Sequence, residues 1–520
     1  MRRRLNPRAS TCIAAIGLLA VLLAVASGKP PAPANPGAAS PSEDLAVPDD
    51  IALREQLDRA VDLRTREDFD RFLDAREEGE LIEHATLTDA DFEHRELAID
   101  TLFIFGDELF GLLFRPQNGW GTGVVDREVV GYTPRRTRVH RGATGGPDAF
   151  GCFSCHSKGG PDGAGTQTQV AFLRGDGERT VSADERNAPH LLGLGPIAAL
   201  AIEMSATLRR QAAEAGERAK AQGGRVEQPL NAKGVAFGHV VADADGKLDY
   251  SAVEGVDPDL TIRPFGWKGH QATLRDMIEE SFHIHQGLLS NRIQEGVRDG
   301  TVEAGPYGKG KFWFDLDEDG VSVEIDSGML TTMVGYLAQL EAPVMRPPRD
   351  PGLLDAFAAG SARFESIGCA SCHVPILELD DPKLETRPPN AGDRASFIVD
   401  VARDGDGPKI EPKYASPTTP YRVNLFSDLK RHDMGAALAT PAAQASIPPS
   451  VFLTRPLWGL AETAPYLHDG RAPTLQDAIA LHGGEAAAAR DAYMALDESG
   501  QASVRVFLTS LSREPKVFLP

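Results

Sequence analysis

The chain has 520 residues, 42% hydrophobic and 25% charged, a balance that excludes a fibre or a disordered tail and allows more than one buried core. Its net charge of −21 makes nucleic acid and anionic membrane surfaces poor partners and a basic redox protein a better one. Five cysteines in such a length are too few for a disulfide framework.

In chain order, Met1-Arg-Arg-Arg and the apolar run Ile13 to Ala26 have the basic flank, short hydrophobic stretch and small-residue exit of a secretory signal, expected over residues 1–26. A membrane anchor is the alternative, but the run is shorter than the roughly 20 residues a span needs, so the mature chain is expected in the periplasm without a membrane span. Cys12 leaves with the signal, and the four remaining cysteines all lie in two Cys-x-x-Cys-His motifs. Residues 27–50, rich in Pro, Ala, Gly and Ser, form a flexible linker.

A first domain is expected over 51–345. It opens on a helical pattern with Leu97, Ile99, Leu102, Phe103 and Phe105, followed by a turn at Gly119 to Gly123. An alanine-rich helix over Ile197 to Gln222 ends at Gly223-Gly224 and covers one face of that domain, with a solvated insertion as the alternative. A helix over Gly328 to Leu340 runs into the breaker stretch Pro343 to Pro351. The second domain, 346–520, begins with a helix carrying Leu353, Leu354, Phe357, Phe364 and Ile367 and closes with one over Ala502 to Leu511.

Cys152/Cys155/His156 and Cys369/Cys372/His373 carry the chemistry. In Cys-x-x-Cys-His two thiols add across the haem vinyl groups and the adjacent histidine becomes the proximal iron ligand. A zinc site needs two further ligands at ordered spacing, and a thioredoxin-like pair is the other alternative. Two copies point to two covalently bound haem c groups with His156 and His373 as iron ligands. A helix running straight into Cys369 and a last helix near the C-terminus have the arrangement of cytochrome c. The expected fold is therefore mainly α, two cytochrome c-like domains in tandem, the first enlarged by insertions.

Several further blocks resemble the dihaem oxidoreductase family, related to bacterial dihaem cytochrome c peroxidases. They are Ala188-Pro189-His190-Leu-Leu-Gly-Leu-Gly, Phe265-Gly-Trp267-Lys-Gly-His-Gln-Ala-Thr-Leu274, Ile367 to Pro375, Phe426-Ser-Asp428 to Gly435, and Leu457-Trp-Gly-Leu through Gly470 to Glu485. The resemblance implies peroxide reduction at the N-terminal haem, electrons supplied through the C-terminal haem, and Trp267 between them; a core tryptophan is the alternative for Trp267. Where relatives place a distal glutamine and glutamate, the stretch Met277 to Gly287 departs from the pattern, and an acid/base role falls to His285 or Glu280. His482 aligns with the distal-ligand position of the C-terminal haem, with Met434 as its competitor.

Asp315-Leu-Asp317-Glu-Asp319-Gly320, with Asp326 at the twelfth position, has the opening of a calcium loop. An acidic hairpin turn between the alternating segments Lys311 to Phe314 and Val321 to Ile325 is the other reading. His432-Asp433 and His468-Asp469 are structural, and His84, His94, His140 and His239 are surface or satisfied core histidines. The function expected is a secreted oxidoreductase taking electrons from a small cytochrome or cupredoxin and giving them to hydrogen peroxide or another small oxidant. The alternatives are an electron carrier without its own substrate, and oxygen or radical chemistry on an organic or protein substrate.

Overall fold

The computed structural model describes residues 87, 92, 98–114, 149, 151–158, 162–165, 171–173, 184–286, 288–299, 324–386, 397–405, 407–414 and 419–513. The leader, the linker, the turn at Gly119 to Gly123, the acidic stretch 315–320, and His84, His94 and His140 lie outside them. Among the described residues no helix is long and apolar enough to cross a membrane.

The described residues form nine α-helices: α1 Ile99–Gly111, α2 Leu194–Gln222, α3 Leu274–Ser281, α4 Asn291–Asp299, α5 Ser327–Ala338, α6 Pro351–Ser366, α7 Leu475–Ala480, α8 Ala487–Met494 and α9 Glu498–Leu508. Six small sheets of two or three antiparallel strands lie among the same residues. The expectation of a mainly α chain is thereby corrected: helices and strands are mixed. The largest addition is a three-stranded sheet over Val226–Ala232, Val235–Ala242 and Leu248–Asp249.

That sheet explains α2. Leu200, Met204, Leu208, Ala212, Ala215 and Ala219 recur at helical spacing and are all buried. They pack with Leu230, Val235, Phe237 and Val240 of the strands in one core. The solvated alternative for this helix is thereby set aside. At its end Gly223 takes φ +59 and its N–H returns to the helix, a left-handed cap.

Asp326 has a structural task. Its carboxylate caps α5 by accepting the Met329 N–H at 2.7 Å. The calcium reading had given it the twelfth ligand position. Behind the cap, residues 328–338 are buried without exception.

Two helix crossings organise the molecule, α1 on α5 and α6 on α9. Both are close because glycine stands at the contact. A Cβ on Gly106 would lie 2.2 Å from the Tyr336 Cβ, and one on Gly360 would lie 2.0 Å from the Ser503 carbonyl oxygen. Gly360→Val is expected to push α6 off α9 and destabilise the protein by about 1–3 kcal/mol, the usual range for overpacking. Urea unfolding should show a lower midpoint with unchanged slope.

The core around the first crossing extends far along the chain, taking in Leu109, Leu194, Tyr336, Val401, Leu425 and Trp458. A second core, with Phe364, Phe426, Tyr493, Val504 and Phe507, surrounds α6 and α9.

Candidate haem sites

The two Cys-x-x-Cys-His motifs fold alike. Each begins with a one-turn 3-10 segment, Cys152–Ser154 and Cys369–Ser371. In each the histidine N–H reaches back to the first cysteine carbonyl at 3.0 Å. The turn presents both cysteines and the histidine together, as three anchoring points on one group require.

The likeness extends to their surroundings. Phe110 of α1 lies 6.4 Å from the His156 ring at 49°, and Phe364 of α6 lies 6.5 Å from the His373 ring at 48°. Each phenylalanine comes from the helix that precedes its motif. Each also packs against the crossing partner, Phe110 on Tyr336 and Phe364 on Phe507.

The side chains fit haem better than they fit zinc. His156 Nδ1–H donates to the Gly163 carbonyl at 3.2 Å and His373 Nδ1–H to the Phe426 carbonyl at 3.1 Å. Both bonds set the tautomer and leave Nε2 for iron, the pattern of metal-ligating histidines. Burial lowers the pKa of both to about 4, aided at His373 by the nearby His482. Phe426 accepts its bond from the left-handed region, φ +57, a conformation that costs a non-glycine residue about 1–2 kcal/mol. Burial pushes the Cys152 and Cys369 thiols up to about 11.

Among the described residues the one cluster with metal-ligand spacing is Cys372, Asp428 and His432. His432 is bonded at both nitrogens, to Asp428 at 2.9 Å and Glu485 at 2.7 Å. Burial opposes its charge, yet Asp428, Cys372 and Glu485 carry its pKa up to about 11. It is thus an imidazolium held between carboxylates, and its partner is Asp428 in place of the adjacent Asp433.

A cavity opens over the second motif. Cys369, Cys372 and His373 line it, as do both candidate distal ligands, Met434 and His482, while Phe364, Leu457 and Leu508 supply apolar wall. His482 follows α7, its Nδ1–H donates to the Ala478 carbonyl at 2.8 Å, and burial depresses its pKa. Its ring is therefore neutral and oriented like those of the two proximal histidines.

Trp267 borders the same cavity. Its indole N–H donates to the Asn187 carbonyl at 2.8 Å, and its own carbonyl accepts the Leu453 N–H at 3.0 Å. Asn187 in turn bonds the His468 carbonyl through its N–H at 2.8 Å and the Pro465 carbonyl through its amide at 2.6 Å. The next residue, Ala188, packs on Cys155. A short run of bonded and packed groups thus joins the first motif to the wall of that cavity through Trp267. The adjacent Lys268 is fully buried and donates to the carbonyls of Pro448, Pro449 and Val451, which pins the tryptophan from behind.

Of the acid/base candidates, His285 sits in the π-turn Phe282–Gln286, where its carbonyl accepts the Ala149 N–H at 2.8 Å. Its imidazole is near enough to His156 to oppose protonation there. Glu280 is turned to His270, with Oε2 2.9 Å from Nε2. Glu279 is buried and bonded by Ser290 and Arg292, a structural acid. Gln286, given no role in the sequence reading, donates to the Cys152 sulfur at 3.5 Å. The adjacency of His285 and Gln286 in a departing family block was the available signal.

No curated protein matches the sequence. Among solved structures the chain is similar to Kuenenia stuttgartiensis hydrazine synthase pressurised with 20 bar xenon, at 19% identity and TM-score 0.20, covering 35% of this chain and 55% of that one. It thus spans about half the length of that relative. It is also similar to a MauG-like protein associated with microbial copper homeostasis, at 15% identity and TM-score 0.26, covering 62% of this chain and 89% of that one. Residues 390–511 match the family described as di-haem oxidoreductase, putative peroxidase. That matched segment carries Met434, Trp458 and His482.

Proposed function

We propose that the chain is a secreted dihaem c-type cytochrome, two cytochrome c-like units in tandem, that reduces peroxide at the Cys152–His156 site with electrons received through the Cys369–His373 site. The observation that carries this reading is the doubled construction, in which each motif has the same turn, the same tethered histidine and a phenylalanine at the same distance and tilt.

Haem c supplies the redox chemistry at both sites, and the protein supplies its placement. Reduction of peroxide to water takes two electrons and two protons. Two such sites in one chain, joined through Trp267, suit a two-electron acceptor. The acid/base role beside the first motif is assigned to His285, while Glu280 lies with Oε2 2.9 Å from His270 Nε2. At the second site His482 is the preferred distal ligand, because its Nδ1 is already tied and its ring already neutral.

The net charge of −21 suits a basic electron donor such as a small cytochrome or cupredoxin. The basic and apolar N-terminal segment directs the chain to the periplasm, and calcium remains the ligand proposed for the acidic stretch 315–320.

Stopped-flow mixing of the half-reduced protein with hydrogen peroxide, followed at the Soret band and by turnover with a reduced cytochrome donor, tests the reading. Rapid oxidation and donor turnover are expected; no reaction with peroxide would overturn the peroxidase assignment and favour an electron carrier. Oxygen uptake without donor turnover would point to chemistry on an organic or protein substrate. Trp267→Phe is expected to slow electron passage between the sites while leaving both haems attached. Each added 1.4 kcal/mol of barrier corresponds to about tenfold in that rate.

A further inference from the structure

The cavity over the second motif contains a positive charge with no acid beside it. Arg455 lines this cavity, its guanidinium 5.5 Å over the Trp267 ring. Among the described residues no carboxylate or carbonyl bonds it. Among the described residues the two arginines buried outright are treated differently: Arg186 is paired with Asp184 and Arg513 with Glu341. Arg455 is half-buried on the cavity wall, and the water it has lost lowers its pKa to about 10.

Contact with one aromatic face offsets only a small part of the cost of burying an ion, and buried charges are stable when paired. His190 lines the same cavity, and Arg455 is near enough to oppose its protonation. A cation on the cavity wall that no acid of the chain pairs calls for an anion with oxygen acceptors. Haem attached through its vinyl edge at Cys369 and Cys372 brings two carboxylates into this cavity.

We propose that Arg455 receives a carboxylate of the haem attached at Cys369 and Cys372 and thereby sets its reduction potential. The role is one of positioning and electrostatics. It rests on haem attachment at the second motif and is independent of what the first site reduces. The same cation over Trp267 makes removal of an electron from the indole less favourable, so the tryptophan serves as a route between the sites and does not hold an oxidising equivalent.

The test uses the two-haem protein, its haem content established by the pyridine haemochrome assay. Spectroelectrochemical titration compares wild type with Arg455→Gln and Arg455→Lys. Loss of the cation should favour the ferric state of the C-terminal haem by about tenfold at fixed potential, a fall of about 59 mV for a one-electron couple. Arg455→Lys, which keeps the charge, should recover most of that shift. An unchanged potential in Arg455→Gln with both haems bound overturns the assignment.

If Arg455→Gln fails to fold, the haem carboxylate bending band in the resonance Raman spectrum of Arg455→Lys decides instead. A moved band supports the contact, and an unmoved one overturns it. Peroxide turnover is measured on the same samples. A shifted potential without turnover retains Arg455 and removes the peroxidase reading, whereas normal turnover with an unmoved potential removes Arg455 alone.

Discussion

Replacing His482 by alanine is expected to convert the haem at Cys369–His373 from low-spin six-coordinate to high-spin, with the proximal bond intact. The ring of His482 is held by the Ala478 carbonyl at 2.8 Å and kept neutral by burial, and its presence depresses the protonation of His373. Two neutral imidazoles facing one cavity are ready to take the same iron. Met434 reaches that cavity too, so the control is Met434→Ala, which should leave the ferric spectrum low-spin. The wild-type protein should also lack the sulfur-to-iron charge-transfer band of methionine ligation. Retained six-coordination in His482→Ala together with its loss in Met434→Ala would reverse the assignment, and would imply a higher potential for this haem.

The second large effect is expected from removing the anchoring thiols of the first motif. Cys152→Ala/Cys155→Ala should carry one covalent haem in place of two, read by mass spectrometry of the denatured chain. Peroxide turnover should fall to background while the absorption of the C-terminal haem is kept. The reciprocal variant, Cys369→Ala/Cys372→Ala, should lose turnover with the donor. A thiol-free first motif that still reduced peroxide at the wild-type rate would sink the division of labour between the sites. Some loss of stability is also expected at Cys155, which is buried against Ala188.

Local information made the motifs readable. The Cys-x-x-Cys-His turns follow from five residues each, and α2, α5, α6 and α9 follow from apolar periodicity written along single segments. The sheet over Val226–Ala232 and Val235–Ala242 was not read, because Pro229 interrupts the first strand at a register shift and Gly238 in the second takes φ +71. Both residues lower strand propensity, and the pairing that overrides them is tertiary. The acidic run before Asp326 suggests either a calcium loop or a hairpin turn, whereas its position before Ser327 equally specifies a helix cap.

The site was legible to a similar depth. The anchors, Trp267 and the two distal candidates come together at the second cavity, while Asn187 and Arg455 escaped notice. Asparagine and arginine are usually solvated, and nothing in their neighbours in sequence announces that one bridges distant segments and the other is buried without an acid. His285 and Glu280 were grouped by proximity in sequence. The helix and the π-turn that follows it send Glu280 to His270 and bring His285 toward His156.

The bonds of Asn187 also bear on the order of events as the protein is made. They join its side chain to Pro465, 278 positions away, and they can form only when nearly the whole chain is available. Closing so long a loop costs entropy that grows slowly with its length, but it must be met before the contacts it permits can stabilise anything. The Cys155 thiol, accessible in the growing chain, is buried once Ala188 and its neighbours settle. A haem joined to the first motif would therefore have to be attached before closure, while Cys155 is still accessible.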